Sequence, residues 1–383
     1  MMHHAKARRA RAVVVSISIF VLVAAACSAD GVGGPKATDV GAVQWRWRPP
    51  PPASVGMPAA GGNDVVATFS HLVVVSLTPT GAERWRTRRL GVRDDTPLLT
   101  PDLVVVPADD GVVALDRSTG NVRWDTRLGG TAAVPDPDDA VSTPVIAGST
   151  VLACLSGGAL VALDAHSGAV RWRAPLAGRS EGPPATDGQT VVATWDPEKG
   201  EGAGVAAFDV ATGQRRWSAA LRAGGVSAPA IVGQGRGAQV VVVDDDLAAK
   251  AFDVVSGRRR WATEVGSAGS PAVPPLPLAH GSVLVADRRS GLTLLDGDGR
   301  RRWTARAHAA AVQGGPVGPT GGGAYALPLY DGKVLVAGPH HGRTVIEAPG
   351  GLVSGVAVAP GGSLLVSSAQ GNDNQLVAYG PPP

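Results

Sequence analysis

The chain has 383 residues, with 35 basic and 32 acidic side chains and a formal net charge of +3. A balance this close to neutral excludes a polyanion-binding reading based on charge alone. Its two cysteines leave no disulfide framework to stabilise a core, and nine of its sixteen aromatics are Trp.

The first segment reads as a processing signal rather than as part of a fold. Lys6, Arg8, Arg9 and Arg11 form a basic start, and Ala12 to Ala26 is a 15-residue apolar stretch. That is short of the ~20 residues a membrane span needs. The run ends in Ala24-Ala25-Ala26-Cys27, similar to a bacterial lipobox, in which small residues precede a cysteine that is diacylated and becomes the new N-terminus. The departure is Ala in place of Leu three residues before the cysteine. Residues 1–27 are therefore expected to be signal peptide and lipobox, with Cys27 lipidated. Residues 28–40 (SADGVGGPKATDV) read as a flexible tether. Removal of 1–26 takes away four basic groups and no acid, leaving a net charge of −1.

Next along the chain one unit recurs, and a fixed period decides architecture before any local reading. Clear copies are DRSTGNVRW (116–124), DAHSGAVRW (164–172), DVATGQRRW (209–217) and DVVSGRRRW (253–261). Shorter copies end at Trp85 (TPTGAERW) and Trp303 (DGDGRRRW). Gly81, Gly120, Gly168, Gly213, Gly257 and Gly299 each stand four positions before their Trp. Asp followed by Ser or Thr and Gly is hairpin-turn chemistry: the carboxylate accepts nearby N–H groups and Gly takes positive φ. A Trp once per unit can fill the wedge between neighbouring sheets while its indole N–H reaches a carbonyl.

Pro58, Pro97, Pro144, Pro184, Pro229, Pro271 and Pro316 open successive units, and apolar runs such as VLACL and QVVVV follow them. Each unit of about 40 residues reads as four short strands with Trp closing the fourth, the pattern of a propeller blade. The fourth-strand positions are Trp47, Trp85, Trp124, Trp172, Trp217, Trp261 and Trp303, and Ile346 stands in a degenerate eighth copy. The segment 355–380 supplies three strands and no fourth, whereas 41–47 supplies only a fourth. The N-terminal strand is thus expected to complete the last blade and leave no open sheet edge. The prediction is an all-β, eight-bladed propeller over residues 41–380, with four-stranded antiparallel blades.

This repeat resembles the pyrroloquinoline-quinone (PQQ) type propeller repeat, and eight copies behind a lipobox are similar to the BamB-like lipoprotein family. The resemblance covers residues 41–380. It implies a noncatalytic scaffold that docks other envelope proteins, monomeric and held to the membrane by its lipid alone. It implies a place outside the cytoplasm, on the outer face of the plasma membrane or the periplasmic side of the envelope, without cofactor or nucleic acid. Fold alone does not carry function, so two alternatives stand beside it: a propeller binding a small ligand or glycan in its channel, and a PQQ-dependent dehydrogenase. Many enzymes of the latter kind carry an adjacent Cys–Cys pair and a Ca²⁺ site, and this sequence has no Cys pair. The hydrolase and nucleotide signatures GxSxG, HExxH and GxxxxGK[ST] are absent as well.

In a four-stranded blade the loops between strands 2 and 3, and those between consecutive blades, share one face. Asp109, Asp110, Asp196, Glu198, Glu201, Asp244, Asp245 and Asp246 fall in 2–3 loops, and Asp136, Asp138 and Asp139 in a long inter-blade connection. An acidic docking face is expected there, with Trp195 and the 129–141 loop projecting from it. The fourth strands carry Arg84, Arg123, Arg171, Arg215, Arg216, Arg258 to Arg260 and Arg300 to Arg302, so a basic perimeter is expected too. Neither the Asp244–Asp246 run nor His340-His341 has the ligand spacing of a metal site. Cys154 reads as a small buried hydrophobe.

Overall fold

The computed structural model describes residues 42–50, 53–129, 140–180, 182–197, 202–221, 225–244, 246, 248–266, 273–287, 291–307, 309, 311, 315–320, 323–348, 351–369 and 374–381. They form eight antiparallel sheets, seven of four strands and one of three. These are the blades of a β-propeller. Blades 1 to 6 take strands from 59–88, 98–127, 145–175, 185–220, 230–264 and 276–305, blade 7 from 325–347, and blade 8 from 352–379.

The strand patterns follow from position in the ring. Second strands such as Asp64–Phe69, Leu103–Ala108 and Thr150–Leu155 are buried along their whole length, because a neighbouring blade covers each face. Their Val-rich runs suit strands buried on both faces. Fourth strands such as Glu83–Arg88 and Arg215–Ala220 bury Trp and expose the residues beside it. Pro58, Pro97, Pro144, Pro184 and Pro229 each stand immediately before an innermost strand, where a missing N–H and fixed φ are tolerated. In blade 7 the innermost strand shrinks to one bridge, Val317 to Ala326, after Pro316.

Apolar clusters bind each blade to the next. Val66, Val74 and Trp85 of blade 1 pack on Val104, Val106, Val113 and Leu115 of blade 2. At the degenerate junction Ile346 of blade 7 packs with Val366, Val377 and Tyr379 of blade 8. Each such fully buried side chain contributes roughly 1.5–3 kcal/mol relative to exposure.

Val43–Trp47 pairs with Gln375–Tyr379 as the outermost strand of blade 8, so the N-terminal strand closes the ring. One detail of the sequence reading is corrected here: the repeat position in this strand belongs to Trp45 and not to Trp47. The strand is bulged between Val43 and Trp45, as blade 1 is between its partners of Glu83 and Trp85. The Trp45 indole donates to the Pro79 carbonyl of blade 1 at 2.7 Å. Trp47 is buried two residues further on, against Phe69 of blade 1 with ring centroids 5.6 Å apart. Among the described residues no helix is long and apolar enough to cross a membrane.

Candidate docking face and channel

The hairpin between strands 3 and 4 is built the same way in blade after blade. In blade 3, Asp164 accepts the His166 and Ser167 amides, at 3.0 and 2.8 Å, and the Ser167 hydroxyl. Gly168 then turns the chain at φ +72°. The fourth strand carries a β-bulge beside its Trp: Ala162 faces Trp172 and Leu163 faces Val170, leaving Arg171 as the extra residue. A bulge re-aims the side chain it carries, and Arg171 reaches back to Asp164 at 2.6 Å. The same clasp joins Asp116 to Arg123, Asp209 to Arg216, Asp253 to Arg260 and Asp296 to Arg302. Hydrogen bonds from Arg216 and Thr212 hold the Asp209 carboxyl down at about 2. Burial opposes ionisation of Asp253, but the Ser256 amide and Arg260 overcome it and hold that carboxyl at about 2 as well.

The Trp after each clasped Arg locks onto the next blade. Indole N–H groups of Trp85, Trp124, Trp172, Trp217 and Trp261 donate to the carbonyls of Arg117, Ala165, Val210, Val254 and Gly297, each at 2.9 Å. Trp303 is half-buried against the cluster containing Leu327 and Leu335. These Trp and Asp side chains are spent on the ring itself and offer nothing to a ligand.

The 2–3 loops and inter-blade connections do share a face. Asp109, in a 2–3 turn, donates its amide to Gly91, in the connection between blades 1 and 2, at 2.8 Å. His71 and Asp94 meet on that face at 3.3 Å, and burial pushes the Asp94 carboxyl up. Among the described acids of that face, some carboxylates have cationic partners. Asp110 pairs with Arg89 at 2.9 Å and Arg127 at 3.4 Å. Asp196 is half-buried, and its main chain exchanges two 2.8 Å hydrogen bonds with that of Arg179. Asp244 is fully buried and ion-paired with Lys250, the reverse of a solvent-facing calcium or docking carboxylate. Asp109, 3.9 Å from Arg93, keeps about half its side-chain surface exposed, and Asp246 is exposed.

Trp195 also corrects the sequence reading. It does not project: it is 9% exposed and lies over Gly204, where any Cβ would collide with its ring. The side chain ends a second strand and packs into the blade 3–4 core. Asp136, Asp138, Asp139 and Asp245, like Cys27, Glu198 and Glu201, lie outside the described residues. Cys154 is fully buried, and desolvation pushes its thiol up to about 12, far from thiolate chemistry.

Between the inner strands of blades 6, 7, 8 and 1 lies a cavity of about 360 Å³. Met57, Pro58, Leu276, Val317, Pro328 and Val356 contribute to its walls, and Thr96 supplies the one polar side chain. Among the described residues no group of three or more His, Cys, Asp or Glu side chains could hold a metal ion.

Eight antiparallel units of this repeat, seven of them four-stranded, closed by the N-terminal strand, define a PQQ-type repeat β-propeller. The family model described as outer membrane protein assembly factor BamB matches residues 36–182 and 177–379, and the chain belongs to that family. BamB from Moraxella catarrhalis superposes with a TM-score of 0.65 at 18% identity, covering 88% of this chain and 97% of that one. The computationally designed Ika8 protein gives a TM-score of 0.67 at 14% identity over 86% and 96% of the two chains. A europium-containing methanol dehydrogenase gives 0.69 at 12% identity over 88% and 93%. Likeness at these identities is likeness of fold. No curated protein matches the sequence.

The dehydrogenase fold raises the question of a quinone and a metal. Such a site needs converging carboxylates and polar groups, and the cavity between blades 6, 7, 8 and 1, lined by Met57, Leu276 and Val317, does not supply them.

Proposed function

We propose that this protein is a noncatalytic, lipid-tethered scaffold that docks other proteins of the cell envelope. Membership of the BamB family over residues 36–379 carries the reading. The lipobox at Cys27 supports tethering outside the cytoplasm, and the repeat side chains support a structural ring rather than a reaction centre. Partners would meet the face formed by the 2–3 loops and inter-blade connections, where Asp109 and Asp246 keep exposed carboxylates. The apolar lining of the cavity between blades 6, 7, 8 and 1 supports this reading over a glycan-binding one, which calls for convergent polar and aromatic groups. The test is dye-linked oxidation of alcohols and sugars by purified protein incubated with the quinone and either Ca²⁺ or a lanthanide. No turnover above background is expected. Turnover that requires the quinone would overturn the proposal.

A further inference from the structure

The arginines of the outer strands fall into two sets. Those immediately before the repeat Trp are neutralised by the turn carboxylates, as Arg216 is by Asp209. The residue two before Trp differs around the ring: Glu83, Val122 and Val170 in blades 1 to 3, but Arg215, Arg259 and Arg301 in blades 4 to 6. Arg258 and Arg300 join them from the turns, and all five are exposed. Among the described residues Arg215, Arg258 and Arg259 have no acidic partner, and Arg301 donates to the main-chain oxygen of Glu264 at 2.7 Å. Arg300 lies 3.9 Å from Asp298, both of them about three-quarters exposed, a pairing that water screens.

Indole bonds set these arginines side by side. Trp217 donates to Val254, at the start of the turn carrying Arg258, and Trp261 donates to Gly297, in the turn carrying Arg300. Three consecutive blades thus present one basic stripe, with Glu264 and Asp298 as the only exposed acids among the described residues of its fourth strands and of the turns that lead into them. It stands on a chain whose mature net charge is −1.

We infer that the outer edge of blades 4 to 6 is a docking surface for an anionic phospholipid bilayer. Guanidinium groups match phosphate oxygens with paired N–H donors. Attraction to an anionic leaflet is felt within a Debye length, ~8 Å, and is worth roughly fivefold in binding per basic residue near the surface. The inference rests on the lipid-tether reading, which brings the bilayer within range: thirteen residues, 28–40, reach at most ~45 Å when extended. An edge held on the membrane leaves the loop faces of the ring free for protein partners.

The test uses the chain from residue 28, which retains every strand of the ring, in co-sedimentation with phosphatidylcholine vesicles with and without phosphatidylglycerol. Binding is expected only to the anionic vesicles and should weaken as salt is added. Arg215→Gln with Arg259→Gln should lower it more than about tenfold. Arg46→Gln with Arg88→Gln, which removes the same charge from blades 8 and 1, should change it less than about twofold. Circular dichroism establishes that both variants are folded. Equal loss in the two variants, equal binding to uncharged vesicles, or binding of an acidic peptide without vesicles would overturn the inference. The mass of the mature N-terminus tests acylation of Cys27 independently, so the tether and the edge can fail separately.

Discussion

Trp45 lies flat over Gly81: a Cβ on that glycine would come within 2.7 Å of the indole ring. The two residues belong to the last and first blades, and the same stacking joins Trp85 to Gly120, Trp124 to Gly168 and Trp172 to Gly213. The junction between the chain ends is therefore one more copy of the regular blade contact.

Removing that contact should loosen the ring at its closure. Trp45→Ala is expected to cost about 2–3 kcal/mol, less than a fully buried Trp because Trp45 is partly exposed. Chemical denaturation measures the loss, and the freed edge of blade 8 should also raise self-association.

Gly213 and Gly188 separate steric crowding from backbone conformation. Both have positive φ, +71° and +94°, but a Cβ at Gly213 meets the Trp172 ring at 2.6 Å whereas at Gly188 it meets nothing within 4 Å. Gly188→Ala is expected to cost about 1–2 kcal/mol through φ alone. Gly213→Ala should cost at least ~1 kcal/mol more, because the indole must move. Paired thermal unfolding curves decide it.

Lys250 and Asp244 form a buried ion pair, and one Asp244 oxygen has no hydrogen-bond partner. Lys250→Met leaves a buried carboxylate without its counter-charge and should destabilise by about 3–5 kcal/mol. Lys250→Met combined with Asp244→Leu should recover most of that loss. Denaturant midpoints of the single and double variants measure the difference.

The clasped carboxyls make a small, pH-dependent contribution to stability in acid. Asp209, bonded by Arg216 and Thr212, sits at about 2 in the folded chain, against ~4 when unfolded. A lowered folded value means the contribution is complete above pH ~4 and disappears as pH falls through ~2. Each clasp is solvent-facing and screened, so its contribution is small. Arg216→Gln should flatten the acid limb of the stability curve and leave stability near neutral pH within ~0.5 kcal/mol. Urea midpoints measured from neutral pH downward test this.

The ring was legible in the sequence because its determinants are local and repeated: the Asp-to-Gly turn, the Trp four residues after Gly, the Pro before most inner strands. The misreading at Trp47 arose because Trp45-Arg46-Trp47 places two indoles on one side of a strand. Gly41, four before Trp45, carried the signal that distinguishes them. Strand order alone placed Asp109 and Asp110 in a 2–3 loop. Whether each carboxylate stays in water depends on Arg89, Arg127 and Lys250, which arrive from other strands. Trp195 was misread for a similar reason, since the space it fills exists only because Gly204 pairs across from it.

Site-specific photo-crosslinking in intact envelopes tests the docking role most directly. A crosslinker at Asp109 or Asp246 samples the 2–3 loop face, and one at Asp187 or Val255 samples turns on the opposite face. Crosslinks to other envelope proteins are expected from the first pair, well above those from the second. Equal labelling from both faces, or none from Asp109 and Asp246, would contradict the docking role.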